Sequence, residues 1–209
     1  MKLIDLTHTF DKNMPVYPGD PEPKLEQITS LEKDGYNDSL ITSVMHVGTH
    51  MDAPFHMINK GKTMDQMPVE SFFGKGVLID ARGQKKIEAS LLDGKEISEG
   101  SIVLLYTGYG EKYRTKDYFK NIPQVTEEFA HEMVKSKVKI VGMDILGPDE
   151  PPFPTHKILL GKEILIIENL VNLDKLLDVS SFEIIALPMK LQADAAPVRV
   201  VARITNLGG

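Results

Sequence analysis

Three of the chain's six histidines fall within eleven residues, in the segment Val44-Met-His-Val-Gly-Thr-His-Met-Asp-Ala-Pro-Phe-His-Met57. His46, His50, Asp52 and His56 put three imidazoles and a carboxylate into this stretch. These are the nitrogen and oxygen donors that zinc, manganese and iron favour. His50 and Asp52 stand two apart, so an extended backbone projects both to the same side. His46 and His50 stand four apart, a spacing that a helix would align. Gly48 and Pro54 interrupt a helix there, and a β-branched run precedes them. Gly48 instead allows a bend that returns His50 toward His46. Three protein ligands leave a coordination position open, which is how catalytic rather than structural sites are built. His156, after a Pro-rich loop, and Glu168, at the end of an apolar run, are further candidates from a distance.

Other arrangements fail. There is no cysteine, which removes disulfides, thiolate-held zinc, iron–sulfur clusters and thiol nucleophiles together. His131-Glu132 begins like a zinc-protease helix, but Lys135 stands where the second histidine is required, so a solvated helix face is expected. Gly108-Tyr-Gly110 follows a strand, but Tyr113 occupies the third position of a dinucleotide fingerprint. No Gly-x-Ser-x-Gly elbow and no phosphate loop is present. His8, beside the first strand, is expected to bond locally rather than to bind metal.

The elements that must position these residues are mostly strands. Short apolar, β-branched runs predict strands at Leu3–Thr7, Leu40–His46, Gly76–Asp80, Ile102–Thr107, Val138–Asp144, Ile164–Glu168, Glu183–Leu187 and Val198–Ile204. Ile102-Val-Leu-Leu105 and Ile164-Leu-Ile-Ile167 are nearly continuous, as in strands covered on both faces. Thr126–Lys137 reads as the best helix, with Thr126 as cap and Phe129, Met133 and Val134 on one face. Glu88–Leu92 and Thr155–Leu160 are shorter candidates, Asn13–Pro23 is a shaped loop, and Asp149–Pro154 is a stiff acidic one. No composition shift marks a boundary across residues 1–209. The expectation is one α/β domain with a central mixed sheet or small barrel and helices packed outside.

The balance of 24 basic against 30 acidic residues gives a net charge of −6. With no basic run to offset it, this argues against nucleic-acid and anionic-membrane partners. No apolar run approaches a spanning length, and no signal peptide is visible at the start, so a cytoplasmic location is expected.

The pattern His46-x-Gly-Thr-His50-x-Asp52-x-Pro-x-His56 resembles the signature of the cyclase family of metal-dependent hydrolases, whose best-known branch is the bacterial kynurenine formamidases. Met14-Pro-Val-Tyr-Pro-Gly-Asp20 looks like the family's substrate-side loop, and Thr107-Gly108 like another of its elements. Pro154-Thr-His156 followed by Glu168-Asn169 looks like its distal ligand pair. The resemblance implies a swivelling β/β/α domain, at least dimeric, with two divalent ions per chain, Zn2+ or alternatively Mn2+. His46 and His50 would then hold one ion and His156 the other, Asp52 and Glu168 would bridge, His56 would shuttle protons, and Tyr17 would meet the substrate. Kynurenine formamidases carry Trp where Tyr17 stands, and the family often has Phe where Met57 stands.

The function implied is hydrolysis of a small amide by water activated on the metal pair. The leading reaction is N-formylkynurenine going to kynurenine and formate. The alternative within the family is opening of cyclic imides, lactams or isatin-type rings. A pair of divalent ions held by two carboxylates keeps positive charge for a developing oxyanion. Imidazole suits proton transfer near neutral pH. A non-haem iron oxygenase is a more distant reading, because His50-x-Asp52 with His156 imitates a two-His-one-carboxylate triad. It leaves His46 and Glu168 unexplained. A scaffold that keeps the motif without catalysis leaves His56 unexplained.

Overall fold

Short apolar runs become the staves of a closed ring. The computed structural model describes residues 1–204. Its strands and helices, in chain order, begin with β1 (Lys2–Asp5), β2 (Lys24–Thr29), α1 (Leu31–Asp34), β3 (Asp38–Thr42) and β4 (His50–Asp52). Next come β5 (Phe73–Asp80), β6 (Lys86–Ile87), β7 (Ile102–Tyr106), β8 (Gln124–Val125), α2 (Glu127–Lys135) and β9 (Ile140–Met143). The last are α3 (Pro154–Leu160), β10 (Leu165–Glu168), β11 (Phe182–Pro188) and β12 (Ala195–Ile204). Strands β5, β7, β9 and β10 run parallel; β4 and β11 flank them antiparallel, and β12 pairs antiparallel with both β4 and β11. Strand β12 closes the ring by pairing Ala195–Pro197 with β4 while its far half pairs β1. The ring thus has seven strands, with β1 outside it. The expected small mixed barrel with helices outside is what forms.

The continuous apolar runs are covered on both faces, as their composition implies. In β7, Ile102, Leu104 and Tyr106 join the cluster filling the ring, with Met51, Ile140, Ile167 and Val200. Val103 and Leu105 face the other way and join Phe129 and Met133 of α2 and Leu159 and Leu160 of α3. Each such aliphatic side chain contributes about 1.5–3 kcal/mol by leaving water. The α2 helix starts as expected, with the Thr126 hydroxyl accepting from the Phe129 amide at 3.3 Å. This cap is worth about 1 kcal/mol. His131 lies on the exposed side of α2, as expected. His8 stacks on Tyr113, with ring centroids 3.9 Å apart. Burial, aided by the Arg114 charge, pushes its pKa down to about 4 and keeps the ring neutral.

Two expectations need correction, and one strand lies outside them. The strand expected over Leu40–His46 ends at Thr42, because Ser43–Thr49 turns to deliver the histidines. The strand β2 was not anticipated; its Lys24, Glu26 and Gln27 hide the alternation, and it pairs β3 in a separate hairpin. Neither strand of that hairpin has a buried residue, and Ile28, Leu31, Tyr36, Leu40 and Ile41 stay exposed. The helix expected at Glu88–Leu92 is a single 3-10 turn, Ala89–Leu92. No helix among the described residues is long and apolar enough to cross a membrane.

Candidate metal centre

Strand β4 carries the centre on its outer face. Met51 points into the ring, so His50 and Asp52 point away from it, together, as the spacing of two requires. The neighbouring strand obeys the same alternation. Leu165 and Ile167 face inward, which leaves Glu168 on the outer face. The antiparallel register sets Glu168 directly opposite His50. Before β4, Gly48 adopts a left-handed backbone (φ 67°), and a Cβ there would lie 2.4 Å from Met14 Cε. This bend brings His46 back, so that its ring centroid lies 5.0 Å from that of His50. His156 arrives from the first turn of α3, whose N-cap Phe153 is also left-handed (φ 59°) and sets its ring edge-on to the imidazole.

The donor atoms converge on common points. His46 Nδ1 lies 3.0 Å from Asp52 Oδ1 and 3.2 Å from His50 Nε2. His50 Nε2 lies 3.4 Å from Asp52 Oδ1 and 3.4 Å from Glu168 Oε2. The other Glu168 oxygen, Oε1, faces His156 Nε2 at 3.4 Å. Candidate ligand atoms of His46, Asp52 and His56 lie within 4.8 Å of one another, as do those of His50, Asp52 and Glu168. Asp52 is fully buried; neither carboxylate oxygen accepts a hydrogen bond of good geometry, and Oδ1 meets only the ring nitrogens of His46 and His50. A buried carboxylate without such bonds is costly, and a cation held by Asp52, Glu168 and the imidazoles would satisfy it. The residues present therefore fit a metal centre.

Protons occupy the same field. Burial disfavours the charged form of His46, but the Asp194 and Asp52 carboxylates outweigh it and raise its pKa to about 10. Burial likewise opposes charge on His156, and Asp149 and Glu168 overcome it, giving about 9. His50 is raised against its own burial by Asp52 and Glu168. Burial pushes the Asp52 carboxyl up, but His46 and His50 hold it well below the usual range. His46 and His156 therefore carry protons at neutral pH, and an incoming cation expels them. Metal affinity is expected to rise with pH toward about 9–10, by about tenfold per unit for each proton displaced. Competition titrations against a chelating indicator between about pH 6.5 and 8.5 measure this slope. A flat profile would show that neither imidazole gives up a proton on binding.

Supporting groups fix which nitrogen each ring presents. His50 Nδ1 donates to the Gly48 carbonyl at 2.8 Å, leaving Nε2 for the centre. His156 turns Nδ1 to Asp149 and presents Nε2. His46 is reversed: Nε2 meets Asp194 at 2.8 Å, and Nδ1 faces Asp52. Asn169, left-handed at φ 57°, donates to the same Gly48 carbonyl at 3.0 Å and accepts from the Tyr118 hydroxyl. Sequence reasoning missed Asp194 and took Asp149 only as part of a stiff loop. The one available signal for Asp194 is an acid directly before the apolar run of the last strand, where no turn requires it.

The centre floors a cavity of about 590 Å³. His46, His56, His156 and Glu168 line its polar side, while Phe119, Ile122, Leu146 and Phe153 supply apolar wall. Tyr17 and Met57 are on the wall too, Tyr17 from the expected proline loop. Gly147 leaves room beside the ligands, since a Cβ there would lie 2.8 Å from Glu168 Oε1. Thr107-Gly108 does not reach this cavity. Its amides and the Thr107 hydroxyl donate to Asp144.

Residues 4–150 match the Cyclase family model, described as "Putative cyclase". A kynurenine formamidase of Bacillus cereus is 31% identical over 96% of both chains. Among solved structures, isatin hydrolase A from Labrenzia aggregata superposes with a TM-score of 0.87 at 27% identity, covering 98% of this chain and 94% of that one. A "potential metal-dependent hydrolase with cyclase activity" gives 0.81 at 31% identity over 98% of both. The barrel, the outward-facing donors of β4 and β10 and these matches agree: the chain belongs to the cyclase family, in the company of hydrolases of carbon–nitrogen bonds other than peptide bonds.

Proposed function

We propose that, within this class of hydrolases, the chain is an arylformamidase that cleaves N-formylkynurenine to kynurenine and formate. The observation that carries the reading is the buried Asp52 carboxylate, which accepts no well-formed hydrogen bond and is flanked by imidazoles, beside a largely apolar cavity that His56 also lines. Two divalent ions per chain, Zn2+ or Mn2+, fit the donor set. His46 and His50 would hold one, His156 the other, with Asp52 and Glu168 between them. The two Glu168 oxygens each face a different imidazole, which supports a bridging role. When bound, such ions lower the pKa of a water and polarise a carbonyl.

The chain's own residues do the rest. The apolar wall holds the aryl group and excludes water around it. His56 takes a proton from the attacking water and returns it to the leaving amine. The formyl C–N bond breaks, the amine leaves with one proton, and the oxygen of water stays on formate. Opening of an isatin-type ring is the second reading. It is favoured by the 0.87 TM-score against isatin hydrolase A and by Tyr17 and Met57 at the cavity. Assaying N-formylkynurenine, isatin and small cyclic imides with metal-loaded protein separates the two. Formate release supports the first, turnover of rings alone the second, and turnover of none overturns both.

Tyr17 is half-exposed on the cavity wall, placed to touch the substrate ring rather than the reacting atoms. Aromatic stacking contributes about 0.5–1.5 kcal/mol beyond area burial. Tyr17→Ala is therefore expected to raise KM for aryl amides roughly two- to tenfold, with a smaller change in kcat. A large kcat loss at constant KM contradicts this placement. The working assembly is at least a homodimer in this reading, supported by the apolar side chains left exposed on the β2–β3 hairpin. A monomeric mass at micromolar concentration overturns it.

A further inference from the structure

We propose that Asp194 is a positioning residue that fixes the tautomer and orientation of His56. This rests on the reading of His56 as the proton carrier. One oxygen of Asp194, Oδ2, faces Nε2 of His46 at 2.8 Å and Nδ1 of His56 at 3.5 Å. The two rings lie close over it, with centroids 4.1 Å apart and planes inclined by 36°. In the orientation we propose, a proton on Nδ1 faces this carboxylate, which leaves Nε2 free to accept one. The hydrogen bond at one ring nitrogen decides which form the other takes.

The backbone holds Asp194 from both sides. Its carbonyl accepts from the Ala53 amide at 2.8 Å, and the Ala193 carbonyl accepts from Met64 at 3.0 Å. Ala53 lies between Asp52 and His56 in sequence, so the segment bearing the carboxylate is tied to the segment bearing the ring. Ala195, the next residue, pairs with Asp52 in the sheet register. Asp194 is thus placed by the barrel itself. The same oxygen turns His46 so that Nδ1 faces Asp52. One carboxylate therefore orders a candidate metal ligand and the proton carrier at once.

The test pairs Asp194→Ala and Asp194→Asn with two readouts. The first is kcat and KM at saturating zinc. The second is the His56 tautomer, from ring nitrogen–proton correlation NMR on zinc-loaded and zinc-free protein. Partners of this kind typically contribute 10–100-fold. Asp194→Ala is expected to lose about that factor in kcat with KM changed far less, and His56 should lose its Nδ1–H form. Asp194→Asn keeps the shape of the side chain, so a matching kcat loss with wild-type thermal unfolding separates positioning from folding. An unchanged His56 tautomer in Asp194→Ala overturns the proposal, whether or not kcat falls. If His56→Ala retains full kcat, the proton-carrier reading fails, and the tautomer measurement still decides whether Asp194 positions the ring.

Discussion

His50→Ala is expected to strip the chain of metal and of activity together. The imidazole is fully buried, its Nδ1 is used by the Gly48 carbonyl, and its Nε2 lies 3.4 Å from both Asp52 and Glu168. No other side chain can take its place, because Met51 faces into the ring and His46 already holds its own position. Loss of residues that merely support a ligand costs 10–100-fold. Loss of this one is expected to cost more than about 10²-fold in kcat/KM, with metal content near background by elemental analysis. Full metal content in the purified variant would sink the assignment of the centre. Thermal unfolding of the variant, compared with metal-stripped wild type, shows whether any loss is merely a loss of fold.

His56→Ala is expected to separate chemistry from binding. The His56 ring is partly buried on the cavity wall, and its Nδ1 faces Asp194 rather than Glu168 or His156. The variant should keep its metal and lose about 10²–10⁴-fold in kcat, the range of general acid–base catalysis. Glu168→Gln should behave in the opposite way. It removes a charge shared between His50 and His156, so metal affinity falls and added metal partly restores rate. The measurement matters because His56 also lies within ligand range of His46 and Asp52. If His56→Ala loses metal and Glu168→Gln keeps it, the two roles are exchanged.

Much of the barrel was legible because its staves are apolar on both faces. Ile102–Tyr106 and Leu165–Glu168 announce themselves by composition. Strand β4 does not, since its two outward side chains are His50 and Asp52, and polar donors erase the apolar alternation that marks a strand. The donors were visible for the same reason, being clustered in sequence with Gly48 to bend them together. Asp194 was invisible because it is 148 residues from His46 and meets it only through the pairing of β12 with β4. Asp149 was hidden differently, inside a Pro-rich stretch whose stiffness accounts for it without the His156 contact.

Strand β4 is three residues long and is hydrogen-bonded to β10 on one side and to β12 on the other. It is the stave that completes the ring, and two of its residues are donors of the centre. Cations held there would also hold a seam. In the stripped chain, Asp52 and Glu168 rest against the His46, His50 and His156 imidazoles across that seam, so ion pairs stand where cations would. In a loaded chain the ions would have to leave before the seam parted, which would tie the lifetime of the folded barrel to the rate of their release. A chelator would then be expected to speed unfolding as well as to inhibit, and the half-life of the barrel would become a clock for occupancy of its centre.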